Sequence, residues 1–221
     1  MANGTFGRLN ADVRHDAQWG ILCTSLDILH EAWPDVITDA GFEAAMDEDS
    51  ITNILRQKMR AVKAQRSPPP EMRFEREAQS DAVDDDTPLG LIDIMVCYTW
   101  NEVTHLVIEC KRIWSTDNSL ALKYVREGVC RFASGKYSAG HALGAMVGYV
   151  LCGNAIGCID RIKRTLLKEP VSVTGYDKIH GWKNTQAVVA SKTLGRTKHT
   201  QKSHRYKISL LHTFVEVTSS F

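Results

Sequence analysis

The segment THLVIECKRI, residues 104–113, constrains the fold more than any other part of the 221-residue sequence. Its apolar and β-branched residues favour a β-strand, and alternation along a strand places Val107, Glu109, Lys111 and Ile113 on one face. Charged side chains beside apolar neighbours are costly unless they are paired. The pattern therefore predicts a half-buried strand that carries a specific polar site.

Residues 89–100, LGLIDIMVCYTW, form a second apolar segment that contains the carboxylate Asp93. The short connection near Asn101 predicts an antiparallel hairpin whose register places Asp93 opposite Glu109, with Lys111 two residues further along. Two opposed carboxylates repel each other and favour a bound divalent cation, while the ammonium can position a water or stabilise charge on a phosphate. The competing interpretation is a set of solvated charges near a strand end.

Apolar periodicity and breaker residues predict the elements around this hairpin. The predicted segments are helices at residues 16–33, 47–66, 117–135 and 140–153, strands at 72–79, 171–176, 185–190 and 206–217, an acidic loop at 80–88 and a basic loop at 192–207. Pro34 is expected to close the first helix, Asp47 or Asp49 to cap the second, and Gly135 to end the third. This order predicts a mixed α/β domain centred on the hairpin.

Several classes of protein are disfavoured by what the sequence lacks. No apolar run approaches the roughly 20 residues of a membrane span, and the N-terminus has no apolar secretion signal. The six cysteines include no C-x-x-C pair, which indicates reduced thiols in a cytoplasmic protein and makes a structural zinc site unexpected. The glycine-rich nucleotide motifs and the G-x-S-x-G motif are absent, which disfavours a nucleoside triphosphatase, a dinucleotide enzyme and a serine hydrolase.

Charge is distributed unevenly along the chain, although the formal net charge is only +1. Residues 1–100 hold 9 Lys and Arg against 18 Asp and Glu, whereas residues 160–221 hold 12 against 4. A basic C-terminal third predicts a polyanionic partner, with nucleic acid preferred over anionic lipid. The competing interpretation is that the two halves neutralise each other across the fold.

LGLIDIMVCY followed by THLVIECKRI resembles the PD-(D/E)XK nuclease superfamily, which has the restriction-endonuclease-like fold. The superfamily combines an acidic residue on a first helix, an aspartate on one strand and an E-x-K motif on the next strand. Asp93 matches the aspartate, and Glu109, Cys110 and Lys111 match the E-x-K motif. Ile92 stands where the superfamily has a proline, a departure that leaves the metal ligands unchanged.

The resemblance covers about residues 40–152 and implies catalysis with Mg²⁺ or Mn²⁺. The implied metal-contacting residues are Asp93, Glu109, Cys110 and Glu48. Lys111 is implied to position or deprotonate the attacking water.

Glu48 precedes Ile51, Leu55 and Met59 at helical spacing, so it extends the apolar stripe of its helix toward the sheet. That placement suits a third carboxylate, and a first-turn residue that stabilises the helix dipole is the equally simple explanation. Other acidic residues could take the same role. The alternatives are Glu43, Glu75 and Glu77.

Two segments are predicted to contact nucleic acid. In the superfamily the helix after the E-x-K strand borders the active site, which points to the residues near its end, and the basic loop offers further phosphate contacts. The predicted contact residues are Arg131, Lys136, Tyr137, Lys198, Lys202 and Arg205. A solvated basic face is the competing explanation for the helix.

Together these observations predict a single nuclease domain over residues 1–221. Its parts are a helical extension at 1–40, a catalytic core at 41–152, and C-terminal strands with a basic loop at 153–221. The expected core is restriction-endonuclease-like, with a central mixed β-sheet, an antiparallel hairpin and flanking helices. The expected activity is that of a cytoplasmic DNA endonuclease in a prokaryotic antiviral defence or mobile-element system, acting on double-stranded DNA as a homodimer or as a partner subunit. The alternative is a catalytically silent nucleic-acid-binding or scaffold subunit with the same fold.

Overall fold

The structure is a computed structural model that describes residues 11–76, 83–84, 87–88, 92–98, 105–137, 142–185, 194–202 and 206–217. Its helices are α1 (Ala11–Ile37), α2 (Glu48–Gln65), α3 (Asn118–Lys123), α4 (Cys130–Ser134), α5 (Ala155–Lys168) and α6 (Val171–Thr174), with a π-helical turn (Tyr124–Val129) joining α3 to α4. Its strands are β1 (Arg73–Glu75), β2 (Val83–Asp84), β3 (Thr87–Pro88), β4 (Ile94–Cys97), β5 (His105–Trp114), β6 (Leu143–Cys152), β7 (Lys183–Thr185), β8 (Leu194–Thr200) and β9 (Lys207–Glu216).

Seven of the strands form one mixed sheet in the order β1-β4-β5-β6-β9-β8-β7, and β2 pairs with β3 separately. The three inner strands β5, β6 and β9 run parallel to one another, whereas the strands on either side of them pair antiparallel. The predicted α/β class with a mixed sheet and flanking helices is therefore confirmed. The strands of the C-terminal third extend the same sheet as the hairpin.

The predicted hairpin register is confirmed in the described residues. Ile94 pairs with Ile108 and Cys97 pairs with His105 across β4 and β5. The pairing continues the alternation expected from the sequence, so Asp93, just before β4, lies at the level of Glu109. The connection around Asn101 lies outside the described residues.

Two apolar layers cover the faces of the sheet. On one side α1 and α2 pack against Leu106, Ile108 and Cys110 of β5. On the other side the α3–α4 segment and α5 pack with Val107 and Ile113. Successive residues of β5 thus enter opposite layers, as a strand buried on both faces requires.

Residues 140–153 were predicted to form a helix, and that prediction is wrong because most of the segment is β6, the middle strand of the sheet. A strand covered on both faces is apolar throughout and loses the alternation that marks a half-exposed strand, so it resembles a buried helix in sequence. In the sequence, the glycines of this segment are interpreted as small residues that allow close helix packing. A Cβ at Gly144 would meet the ring of Phe132, and one at Gly148 would meet the ring of Phe214, so the glycines make room for aromatic rings.

Other boundaries also differ from the prediction. Pro34 does not close α1, which continues for one more turn to Ile37. Most of the predicted strand at 171–176 is instead the short helix α6, which ends at Thr174 and is followed by Gly175 at a φ of 61°. The basic segment 192–207 contains strand β8 rather than a continuous loop, and the acidic loop contains the short pair β2 and β3.

Several predicted boundaries are confirmed. Asp47 caps α2 by accepting a hydrogen bond from the Ser50 amide at 2.7 Å, and α2 ends at Gln65, before the proline run. Gly135 ends α4 in the left-handed conformation at a φ of 82°. Strands were correctly predicted around β1 and β9. Of the predicted strand at 185–190, residues 186–190 lie outside the described residues. Helix α5 was not anticipated, although Cys158, Ile162 and Leu166 form an apolar stripe along it.

Candidate active site

The candidate site lies where β4 ends while β5 continues. Beyond Ile108 no residue of β4 pairs with β5, so backbone groups of β5 face a gap in the ladder. Two carboxylates accept hydrogen bonds from these amides. Asp93 Oδ2 accepts from the Cys110 amide at 2.7 Å, and Glu48 Oε2 accepts from the Arg112 amide at 3.0 Å. Side chains from the loop before β4 and from the first turn of α2 therefore complete the edge of β5.

Lys111 is the centre of this arrangement and is only 5% exposed. Its ammonium lies 2.5 Å from Glu48 Oε1, 2.8 Å from Glu109 Oε1 and 4.0 Å from Asp93 Oδ2. It also donates a hydrogen bond to the Cys110 carbonyl at 2.9 Å. The predicted convergence of Asp93, Glu109 and Lys111 is thus present, and Glu48 joins them from α2.

Glu109 is fully buried, and its two carboxylate oxygens have different surroundings. Oε1 accepts from Lys111 and from Arg131 Nη1, the latter at 2.7 Å. Arg131 Nη1 also donates to the Tyr137 hydroxyl at 2.6 Å, so the guanidinium is held from both sides. Oε2 is buried and has no hydrogen-bond partner among the described residues. A buried carboxylate oxygen without a donor is costly, and a bound cation would remove that cost.

Burial perturbs the acids of this cluster. Burial raises the pKa of Asp93 well above its usual range, the neighbouring Glu109 raises it further, and Lys111 only partly offsets both effects. Burial likewise raises the pKa of Glu109, although Lys111 and Arg131 oppose the change. Burial alone would lower the pKa of Lys111, but Glu109, Asp93 and Glu48 outweigh it, so the pKa of this ammonium lies above its usual value. Lys111 is therefore held as a cation between carboxylates.

A cleft of about 350 Å³ opens beside Glu48 and Lys111 of this cluster. Its lining residues are Asp47, Glu48, Asp49, Lys111, Arg112, Leu120, Lys123 and Glu127. The cleft lies between the first turn of α2 and the α3–α4 segment, so Lys111, the helical glutamate and the following helix border one space. Arg112 was not predicted as a site residue. It donates from Nη1 to the Met46 carbonyl at 2.8 Å, a role that its place next to Lys111 in the sequence does not reveal.

The alternative third carboxylates lie elsewhere. Glu43 is exposed in the segment before α2. Glu75 pairs with Arg60 at 3.0 Å, and Glu77 lies outside the described residues. Glu48 is the one of the four for which the structure gives a contact with Lys111. The Cys110 thiol enters the opposite apolar layer, where burial raises its pKa well above its usual range, so the carbonyl is the group of Cys110 that faces the site.

The predicted nucleic-acid contacts are not equally accessible. Tyr137 has no exposed surface and binds Arg131, so in this structure it supports the site and cannot touch a nucleic acid. Arg131 points inward to Glu109, whereas Lys136 is partly exposed. Lys202 is exposed, and its amide donates to the Ala133 carbonyl at 2.9 Å, which brings it to the end of α4 near Lys136.

The two remaining predicted contacts belong to the C-terminal basic segment. Lys198 is partly exposed on β8. Arg205 lies outside the described residues. Lys136 and Lys202 are therefore the predicted contacts that the structure brings to one place, at the C-terminal end of α4.

The donor set fits the chemistry of Mg²⁺ or Mn²⁺. Both ions prefer oxygen ligands, and Mg²⁺ sites often use one or two carboxylates and take the remaining ligands from water and substrate phosphates. Asp93, Glu109 with its unpartnered Oε2, and the Cys110 carbonyl provide such oxygens. Among the described residues no three His, Cys, Asp or Glu side chains are grouped to hold a metal ion, so a site here rests on two carboxylates. The Glu48 carboxylate is already engaged, because Oε1 accepts from the Lys111 ammonium and Oε2 accepts from the Arg112 amide.

No protein-family model, curated protein or solved structure matches the chain. Among the described residues, no helix has both the length and the apolar character needed to cross a membrane.

Proposed function

We propose that this chain is a Mg²⁺- or Mn²⁺-dependent nuclease that hydrolyses phosphodiester bonds in DNA. One observation carries the proposal. Glu109 is fully buried and the Asp93 side chain is 10% exposed at the same level of the β4–β5 pair, the Lys111 ammonium lies within 4.0 Å of both, and Glu109 Oε2 has no hydrogen-bond partner among the described residues. Burying two carboxylates and leaving one oxygen without a donor is unfavourable for a structural ion cluster, and it is useful for binding a cation.

The residues of the site have distinct roles in this proposal. Asp93 and Glu109 would hold the metal together with the Cys110 carbonyl. A bound divalent ion supplies positive charge that polarises the phosphate and activates a water. Lys111 acts as an ammonium that positions this water and offsets charge on the phosphate, because its carboxylate neighbours keep it protonated. Glu48 holds Lys111 from the side of α2 at 2.5 Å.

The fold and the setting form part of the same proposal. We assign the sheet and its hairpin to a restriction-endonuclease-like core, because an E-x-K strand pairs antiparallel with the aspartate segment and parallel with the next strand. We further propose a cytoplasmic DNA endonuclease of a prokaryotic antiviral defence or mobile-element system, acting on double-stranded DNA as a homodimer or with a partner subunit. No disulfide joins the six cysteines, all of which lie in the described residues, and this agrees with a reducing compartment.

A catalytically silent nucleic-acid-binding or scaffold subunit is the second candidate. The observation that favours it is the presence of internal counter-ions. Lys111 and Arg131 already contact Glu109, so the cluster keeps a positive partner without a metal. A protein of this kind would bind DNA equally well with and without divalent ions and would leave it intact.

Replacement of Asp93 tests the proposed activity. Asp93→Asn keeps the size of the side chain but removes a ligand charge, so we expect Mg²⁺- or Mn²⁺-dependent nicking of a plasmid to disappear. Calorimetric binding of Mn²⁺ should weaken in the same variant. Asp160→Asn is the matched control, because Asp160 is 59% exposed on α5 and contacts only Lys163, at 3.9 Å, among the ion pairs of the described residues. Cleavage by Asp93→Asn at the parental rate would contradict the proposed site.

A further inference from the structure

Beside the catalytic cluster, on the side of α2 and β1, three arginines lie close together. Arg56 and Arg60 belong to α2, and Arg76 follows β1. Arg60 is neutralised by Glu75 at 3.0 Å, and Arg76 approaches Asp49 at 3.4 Å. Arg56 has no ion pair among the described residues.

The Arg56 guanidinium is left with unused donors. Its Nη2 donates to Asn53 Oδ1 at 2.9 Å, but Nε and Nη1 are buried without a hydrogen-bond partner in the part of the chain that the structure describes. Burial lowers the pKa of Arg56, and the nearby cations Arg60 and Arg76 lower it further. Two buried donors on a cation without a counter-ion cost free energy that an anion would recover.

Arg56 lines the same small cleft as Asp93 of the candidate active site. The residues that line this cleft are Asp49, Thr52, Asn53, Arg56, Arg76, Ile92 and Asp93. Within it, Arg76 lies 3.4 Å from the Asp49 carboxylate. Its volume is about 10 Å³, which is room for one atom the size of a water molecule. A single phosphate oxygen can therefore enter, while the rest of the phosphate group stays at the mouth beside Arg76, whose side chain is 44% exposed.

We propose that Arg56 and Arg76 form a phosphate-binding subsite next to Asp93, which holds a backbone phosphate of the nucleic acid neighbouring the reacting one. The guanidinium suits this role, because it is cationic and its unpartnered N–H groups can donate to phosphate oxygens. This subsite rests on the proposed nuclease function for the identity of its ligand, but the anion chemistry is independent of catalysis. None of the basic residues selected from the sequence belongs to it.

The test measures duplex DNA binding by fluorescence anisotropy in EDTA, where cleavage cannot occur. Arg56→Gln should raise the dissociation constant about 3- to 10-fold and reduce the slope of log K against log salt by about 1, as expected when one phosphate contact is lost. Arg56→Lys keeps the charge but loses the guanidinium donors, so its dissociation constant should lie between those of the parent protein and Arg56→Gln. Lys58→Gln is the matched control on the same helix, because Lys58 already pairs with Asp39 at 2.7 Å.

A second arm identifies the source of the phosphate. Inorganic phosphate should raise the melting temperature of the parent protein and of Lys58→Gln, and should have little effect on Arg56→Gln. Stabilisation by phosphate without any DNA binding would keep the anion site and remove support for the nuclease proposal. DNA affinity, salt slope and phosphate response that are all unchanged in folded Arg56→Gln and Arg56→Lys would overturn the subsite, even if the parent protein cleaves DNA.

Discussion

At the scale of single residues, the site depends on one ammonium among three carboxylates. Lys111 contacts Glu48 and Glu109 directly and lies 4.0 Å from Asp93, so it compensates charge that burial makes costly. The same ammonium is the only cation that the E-x-K motif itself supplies. Its structural and chemical roles must therefore be separated by experiment.

Lys111→Met keeps the length of the side chain and removes its charge. If Lys111 positions the attacking water and stabilises the phosphate, the single-turnover cleavage rate at saturating Mg²⁺ should fall by a factor on the order of 100, as when one electrostatic stabiliser is lost. DNA binding in Ca²⁺ should change little, because the effect belongs to the transition state. Lys168→Met, which alters an exposed lysine at the end of α5 that does not line the cleft, serves as the control.

Thermal unfolding shows whether the Lys111 variant is folded under the assay conditions. A folded variant that cleaves at the parental rate would mean that Lys111 only balances charge. Loss of DNA binding together with cleavage would instead assign Lys111 to substrate binding.

At the scale of elements, β6 determines how the site is assembled. This strand lies beside β5 and pairs with Lys111 through Gly148, so its close packing sets the position of the E-x-K strand. Gly148 has no side chain because the Phe214 ring occupies the space that a Cβ would take, and Ile113 Cγ2 lies 3.3 Å from the same point. The glycine therefore makes room on β6 for the Phe214 ring of β9 and for Ile113 of β5.

Gly148→Ala should destabilise the protein by about 1–3 kcal/mol, because the added methyl group forces a ring in a packed core to move. Gly20→Ala is the control, since no atom lies within 4 Å of a Cβ built there in α1. An alanine inside a helix should leave stability unchanged or increase it by about 0.5–1 kcal/mol. Urea denaturation of both variants gives the comparison, and equal stabilities would show that the sheet accommodates the methyl group.

At the scale of the whole molecule, a buried chain of hydrogen bonds joins α6, β8, β9 and the π-helical turn. The Thr174 carbonyl can only accept, so His199 donates to it from Nδ1 at 2.8 Å and accepts from the Thr197 hydroxyl at Nε2. The Thr197 oxygen then accepts from His212 Nε2, and His212 Nδ1 accepts from the Tyr124 hydroxyl at 2.9 Å. Every link of this chain is satisfied with both histidines neutral.

This chain predicts a loss of stability in mild acid. Burial lowers the pKa of His199 from 6.5 to about 4 and holds the pKa of His212 well below its usual value. Between pH 6.5 and 4 the unfolded chain binds protons that the folded protein excludes. The free energy of unfolding therefore decreases as the pH is lowered through this range. The full shift of His199 corresponds to a loss on the order of 3 kcal/mol.

Comparison with His199→Gln isolates this effect. The raised pKa values of Asp93 and Glu109 act in the opposite direction, but both proteins contain these acids, so their contribution cancels. The parent and the control His15→Gln should lose more stability than His199→Gln as the pH falls from 6.5 to 4. Parallel pH profiles from calorimetric melting would contradict the assignment of neutral buried histidines.

The sequence by itself determined the β4–β5 hairpin, its register and the convergence of Asp93, Glu109 and Lys111. Those features are local, because alternation along a strand and a short connection fix which side chains share a face. The α2 cap at Asp47 and the end of α4 at Gly135 were determined in the same way, by residues that act on their own backbone. For Glu48 the sequence supports a site carboxylate and a residue that stabilises the helix dipole equally well, and the contact with Lys111 is a tertiary one.

Only the tertiary structure decided the remainder, because it depends on what covers each segment. Residues 140–153 resemble a buried helix until helices cover both faces of the sheet and β5 and β9 flank them as partner strands. Arg131 and Tyr137 look like exposed nucleic-acid contacts until the fold places Arg131 of α4 against Glu109 and Tyr137 against Arg131. The unpartnered donors of Arg56 likewise arise from burial between α2 and the loop before β4, which no spacing in the sequence reveals.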